Sequence, residues 1–319
     1  MNRSETDLSA FAAHFELGPM PEGPRVVAIG GGKGLAMALR AARLYGGSIT
    51  AIVSVADDGR STGRLRRASD DDLLAPGDLR KALAALADEN SIWPTVLEHR
   101  FTSGELDGHA LGNIFLLGLA EALGNWSAAL AEATRIMGAA GQVLPATIGP
   151  VVLKADVGGE SVEGQVAIQS ATALGAAISG VHLVPEDASA APAALQAIME
   201  ADHVLLGPGS LYTSVLAAAV VPEIRAAIAL TSGRVIQIAN LVTEPEETAG
   251  LDGSAHLVAV LDHDIRVDTF LYDRLGPLAV NESYVFEHGV MPIGLDLSGP
   301  TSGLHDPKCL ASALSELLA

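Results

Sequence analysis

The sequence predicts an α/β protein: a mostly parallel, three-layer sheet with an antiparallel hairpin attached. Three observations carry this. A strand, glycine turn, helix and second strand follow one another from Val26; a helix–strand–loop rhythm returns at Leu195; and two alternating runs meet at Gly158-Gly159. Of the 319 residues, 49% are apolar and 18% charged, which suits a large buried core and excludes disorder as the main state. A single α/β domain over 25–319 is expected, with a helical subregion at about 76–140 and a flexible leader over 1–24.

Each element has a local reason. Val26–Ile29 is a short apolar strand, ended by Gly30-Gly31-Gly32-Lys33-Gly34. Leu35, Ala38, Leu39 and Ala42 then recur at helical spacing, and Ile49–Val55 reads as the second strand. Parallel pairing of these strands requires a right-handed crossover. Pro76–Gly124 reads as helical with Gly/Asp breaks, and Val151–Asp156 with Ser161–Ile168 as the hairpin. Leu195–Ala201 is a helix, His203–Leu206 a strand, and Gly207-Pro208-Gly209-Ser210 the loop after it. Arg234–Ala239, Leu257–Val260 and Val267–Leu271 are further apolar runs, and Leu310–Leu318 is an amphipathic helix. In such sheets ligands bind beyond the carboxyl ends of the strands.

The formal net charge of −19 argues against broad contact with nucleic-acid phosphates. Yet 11 of the 19 Lys and Arg lie between Arg25 and Arg100, against 9 of the 38 acids, and a locally basic quarter suits a small anion. Cys309 is the only cysteine, so no intrachain disulfide forms. Met1–Pro24 lacks the basic and apolar regions of a signal peptide, and Val215–Leu230 is broken by Pro222, Glu223 and Arg225. A cytoplasmic protein without a membrane span is expected.

Two glycine turns are candidate phosphate cradles. Gly31, Gly32 and Gly34 let backbone N–H groups approach an anion at a helix start, and Lys33 is within reach of a phosphate oxygen. A tight turn without a ligand explains them equally, since the G-x-G-x-x-G spacing is absent. Gly207-Pro208-Gly209 followed by Ser210, Tyr212 and Thr213 adds hydroxyls and a helix dipole, a combination that capping alone does not explain. Asp57 and Asp58, just past the second strand, suit ribose hydroxyls or Mg²⁺, and Arg64 beyond them a phosphate. An Asp-Asp-Gly turn is the plain alternative. Asp78 and Arg80 are candidate nucleotide contacts, with a helix N-cap and a solvated first-turn arginine as the plain alternative, while His109 and Asn113 share a face if their stretch is helical. Asn240 and Thr243 follow a strand end on the ligand side. His305-Asp306 is either a polar cap or a site pair.

Taken together these motifs resemble the gluconeogenesis factor family (YvcK/YbhK type), in the CofD-like superfamily of 2-phospho-L-lactate transferase. The matching pieces are Ile29–Gly32 with Gly34-Leu35, Val55–Gly59, Gly63–Arg66, Pro76–Arg80, His99–Phe101, Gly108-His109, Leu111–Asn113, Val143–Ala146 and Gly207–Ser214. The resemblance implies a Rossmann-like CofD-type fold, a role in growth on gluconeogenic carbon and in cell shape, and a UDP-N-acetylglucosamine-like nucleotide-sugar ligand. It places Asp57 and Asp58 at a metal or ribose, Gly31, Gly32, His109, Asn113, Gly209 and Ser210 near the phosphates, and Asn240 and Thr243 near the nucleotide. Regulatory protein partners and a homo-oligomer are expected. The chain departs from the family at Lys33, a threonine there; near Leu251, where a sugar-nucleotide tyrosine stands; and at Leu304, an arginine. Losing an aromatic ring and a cation weakens recognition of the ligand. The alternative activity is a Mg²⁺-dependent transfer of a phospholactyl-type group; an NAD-linked oxidoreductase rests on the βαβ start alone.

Overall fold

The computed structural model describes residues 22–58, 74–301 and 303–317. Its main sheet has seven parallel strands in the order β10-β9-β8-β7-β1-β2-β3. These are β1 (Arg25–Gly30), β2 (Ser48–Val53), β3 (Gln142–Pro145), β7 (His203–Leu206), β8 (Arg234–Ile238), β9 (Thr269–Asp273) and β10 (Met291–Leu295). β4 (Val152–Val157), β5 (Glu160–Glu163) and β6 (Ile178–Val184) form a separate antiparallel sheet ordered β5-β4-β6.

The helices are α1 (Gly32–Tyr45), α2 (Pro76–Leu86), α3 (Trp93–Glu98), α4 (Leu111–Leu123), α5 (Trp126–Ile136), α6 (Gln165–Thr172), α7 (Pro192–Glu200), α8 (Pro222–Leu230), α9 (Gly253–Leu261), α10 (Glu282–Glu287) and α11 (Pro307–Glu316). A π-helical turn, Leu211–Leu216, precedes the short helix Ala217–Ala219. The central strands are buried almost throughout, as a parallel sheet covered on both faces demands. α1 packs against α2 and α11, and α7 against α8. From β1 the chain runs outward through β2 to β3, and from β7 the other way through β8 and β9 to β10. The order therefore reverses between β1 and β7, and the adjacent connections leave for opposite faces there.

Several expectations need correction. The expected hairpin forms, β4 with β5, as part of the three-stranded antiparallel sheet it makes with β6. Its second strand stops at Glu163, because Gly164 (φ +93°) turns the chain into α6, which takes residues expected in strand. Leu257–Val260 lies inside α9. The edge strands β3 and β10 each carry a proline on their outer side: Ala146 N–H donates inward to Val53 and Met291 N–H inward to Asp268, so the alternating neighbours Pro145 and Pro292 face outward. Among the described residues no single helix is long and apolar enough to cross a membrane. Leu211–Ala219 and Pro222–Leu230 together have the length, but bend by 75° at the break.

Candidate functional site

Both glycine turns lie at the carboxyl ends of the strands that flank the reversal. Gly30 (φ +150°) and Gly32 (φ +70°) release β1 directly into α1. Gly207 (φ +76°) and Gly209 (φ +140°) do the same after β7. The turns touch backbone to backbone: a Cβ on Gly34 would stand 2.6 Å from Gly209 N, and one on Gly209 would stand 3.0 Å from the Gly31 carbonyl. Only chains without side chains at these positions approach so closely. Asn240, just past β8, fastens the second turn by accepting from Gly209 N–H (2.9 Å) and donating to the Gly209 carbonyl (2.9 Å).

Between the turns lies a cavity of about 350 Å³. Gly32, Lys33, Gly34 and Lys81 line it from α1 and α2; Gly209, Ser210, Asn240 and Glu244 from the loops after β7 and β8; and Leu304 with His305 from the chain before α11. Lys33 is exposed, and Lys81 pairs with Asp78 at 2.8 Å. Asp78 is buried against Gly31, whose own Cβ would overlap the carboxylate. The Glu244 carboxyl accepts a hydrogen bond from Ser210, and burial together with the like charge of Glu246 raises its pKa. His305 is buried and hydrogen-bonded to the Ala239 carbonyl; burial pushes its pKa down to about 4, and its Nε2 is buried without a partner.

The same helix end that recommended Tyr212 and Thr213 is already occupied. Glu247, 5% exposed, accepts the backbone N–H groups of Tyr212 (3.1 Å) and Thr213 (3.2 Å), the Thr213 hydroxyl and the Gln169 amide (3.2 Å). Burial pushes the Glu247 carboxyl up to about 6, against the pull of these donors. A protein carboxylate thus fills the place expected for a phosphate. Tyr212 turns instead toward a second cavity of about 580 Å³, shared with Leu251, Asp252 and Tyr284.

Other candidates are placed elsewhere. Asp58 Oδ1 accepts from Val166 N–H at 3.1 Å, supplying the α6 cap that Gly164 cannot. Asp57 is its half-buried neighbour in the chain. Asp78 is not an N-cap, which falls at Ala75, and Arg80 is not solvated. It is 1% exposed and donates to Asn113 Oδ1 (3.0 Å) and the Leu97 carbonyl (3.2 Å), with Glu98 paired at 2.7 Å. His109 precedes α4 rather than sharing a face with Asn113. Thr243 is half-buried between two lining residues, and Gly207 borders a water-sized void beside Gln237 and His256. Arg64 lies outside the described residues. Lys81 and Glu244 were not singled out in the sequence, although each adjoins a residue that was. His305 and Asp306 divide the roles offered for them: the first lines the cavity, while the second caps α11 through Lys308 and Cys309 N–H.

A doubly wound α/β architecture with two glycine turns meeting at its strand-order reversal defines a Rossmann-like protein. The comparisons narrow this. The family profile described as "2-phospho-L-lactate transferase CofD" matches residues 26–297. A "Putative gluconeogenesis factor" of Mycobacterium tuberculosis (strain ATCC 25618 / H37Rv) is 42% identical over 316 residues, covering 92% of this chain and 90% of that one. The "Gluconeogenesis factor" of Halalkalibacterium halodurans is 40% identical over 240 residues, 75% of this chain and 73% of that one. A crystal structure of a UPF0052 family member from Bacillus halodurans superposes with a TM-score of 0.86 at 34% identity, covering 92% of this chain and 99% of its own. The chain belongs to the gluconeogenesis factor family, within the CofD-like superfamily.

Proposed function

We propose that the protein binds a nucleotide sugar of the UDP-N-acetylglucosamine kind in the cleft between the two glycine turns, and that this state regulates partner proteins needed for growth on gluconeogenic carbon and for cell shape. The observation that carries the reading is the contact of Gly34 with Gly209: it brings two sets of backbone donors, Lys33 and Lys81 to one 350 Å³ space at the strand-order reversal. A diphosphate is the group that such a convergence of N–H dipoles and ammonium charge suits. Calorimetry with UDP-N-acetylglucosamine tests it. Binding is expected for the wild type and its loss for Gly34→Val, whose side chain would collide with the Pro208–Gly209 backbone; absence of heat for a folded wild type removes the reading.

The transferase description of the matching family profile supports a second reading, transfer of a phospholactyl-type group from a nucleoside-diphosphate donor. Here Mg²⁺ would neutralise charge on the donor's diphosphate as the bond between its two phosphoryl groups breaks, the phospholactyl group passing to the acceptor and a nucleoside monophosphate leaving. Its proposed ligands, Asp57 and Asp58, fit poorly: Asp58 is committed to the start of α6, and among the described residues no group of three or more His, Cys, Asp or Glu could hold a metal. No step through a metal is derived. A metal-dependent product from such a donor and a deazaflavin acceptor would establish this activity.

A further inference from the structure

The walls of the cleft carry opposite chemistry. α1 and α2 bring the ammonium groups of Lys33 and of Lys81, the latter paired with Asp78, whereas the loop after β8 and the chain before α11 bring Glu244 and His305. The Glu244 carboxylate interacts with the Ser210 hydroxyl and with the like charges of Glu246 and Glu247. His305 lies against the Ala239 carbonyl, and its Nε2 is buried without a partner. This second wall therefore offers an anionic acceptor beside an uncharged, unsatisfied imidazole. A buried polar atom without a partner calls for a group that completes it.

We infer that Glu244, assisted by His305, sets ligand specificity: this wall takes the hydroxyl- or amide-bearing part of a phosphorylated sugar and disfavours a further phosphoryl group. The inference rests on the nucleotide-sugar reading of the cleft and assigns its orientation, with the diphosphate toward Lys33 and Lys81 and the sugar toward Glu244. A hydroxyl or amide N–H donates to a carboxylate in a strengthened, charge-assisted bond. A phosphoryl oxygen at the same point meets like charge in a partly desolvated space.

UDP-N-acetylglucosamine and UTP share the uridine diphosphate and differ in the group attached to its outer phosphate, a neutral sugar or a charged phosphoryl group, so titration of both tests the inference. The wild type is expected to prefer the sugar nucleotide by about tenfold or more, and Glu244→Gln, which keeps the shape and removes the charge, to collapse that ratio by about tenfold through weaker sugar-nucleotide and tighter UTP binding. A ratio unchanged by the substitution overturns the inference and leaves the cleft reading standing. If the folded wild type binds neither nucleotide, both fall.

Discussion

Glu247 closes the amino end of the Leu211–Leu216 turn by accepting the Thr213 N–H at 3.2 Å and the Thr213 hydroxyl, so one carboxylate replaces the anion that this helix end would otherwise attract. Its pKa of about 6 lies above the ordinary 4.5, so the folded state holds a proton that the unfolded chain has already lost. The associated stabilisation is present below pH 4.5 and is lost as pH rises through 6, an effect on the order of 2 kcal/mol. Glu247→Gln should remove that slope. Urea unfolding between pH 4 and 8 measures it, and an unchanged slope in the variant refutes the assignment.

The buried histidines act in the opposite sense. Burial lowers the pKa values of His203 and His305 to about 4 from 6.5, so the unfolded state takes up protons first. Their contribution is present above pH 6.5 and disappears as pH falls through 4, by at most about 3 kcal/mol for each histidine. His203→Gln should soften acid unfolding in that window, as followed by melting temperature against pH.

Gly32 and Gly34 should differ although they are two residues apart. A Cβ at Gly32 meets nothing within 4 Å, and its positive φ alone makes Gly32→Ala cost about 1 kcal/mol. At Gly34 the new atom would overlap the Pro208–Gly209 backbone, so Gly34→Ala should cost about 2–3 kcal/mol and displace the second turn. Thermal unfolding ranks the two; equal losses would contradict the contact.

Arg80 and Asp58 should behave as structural residues. Arg80→Met leaves Asn113 Oδ1 and the Leu97 carbonyl without their donor and is expected to cost about 3 kcal/mol. Asp58→Ala removes the α6 cap for about 1 kcal/mol. Folded fractions of both should retain nucleotide affinity in calorimetry. A loss of affinity in folded Asp58→Ala would instead restore the carboxylate to the ligand site.

Leu304 borders the cleft, at a position where the family resemblance implies an arginine. Leu304→Arg should therefore tighten UDP-N-acetylglucosamine binding by about threefold to tenfold through a charge-assisted contact with the diphosphate. Unchanged or weaker binding would place the diphosphate elsewhere.

The sheet was legible where a buried strand and its turn are contiguous: Val26–Ile29 with Gly30–Gly34, and His203–Leu206 with Gly207–Ser210, both appear as expected and define the cleft. β3, β6 and β10 were not legible, because four to seven residues of mixed burial carry little periodicity of their own and are selected by their neighbours. The same limit applies to partners. Nothing local shows that the Arg80 guanidinium meets Asn113 across 33 positions, or that Glu247 reaches back 34 positions to Thr213. Charge and turn chemistry indicate which side chains want a partner, but the chain's path decides whether that partner is a ligand or the protein itself.

Pro145 and Pro292 give the main sheet blunt margins. Each removes one outward amide from its strand, leaving Val143 and Gly294 as the outward donors of β3 and β10, so an arriving backbone would meet an interrupted ladder at either margin.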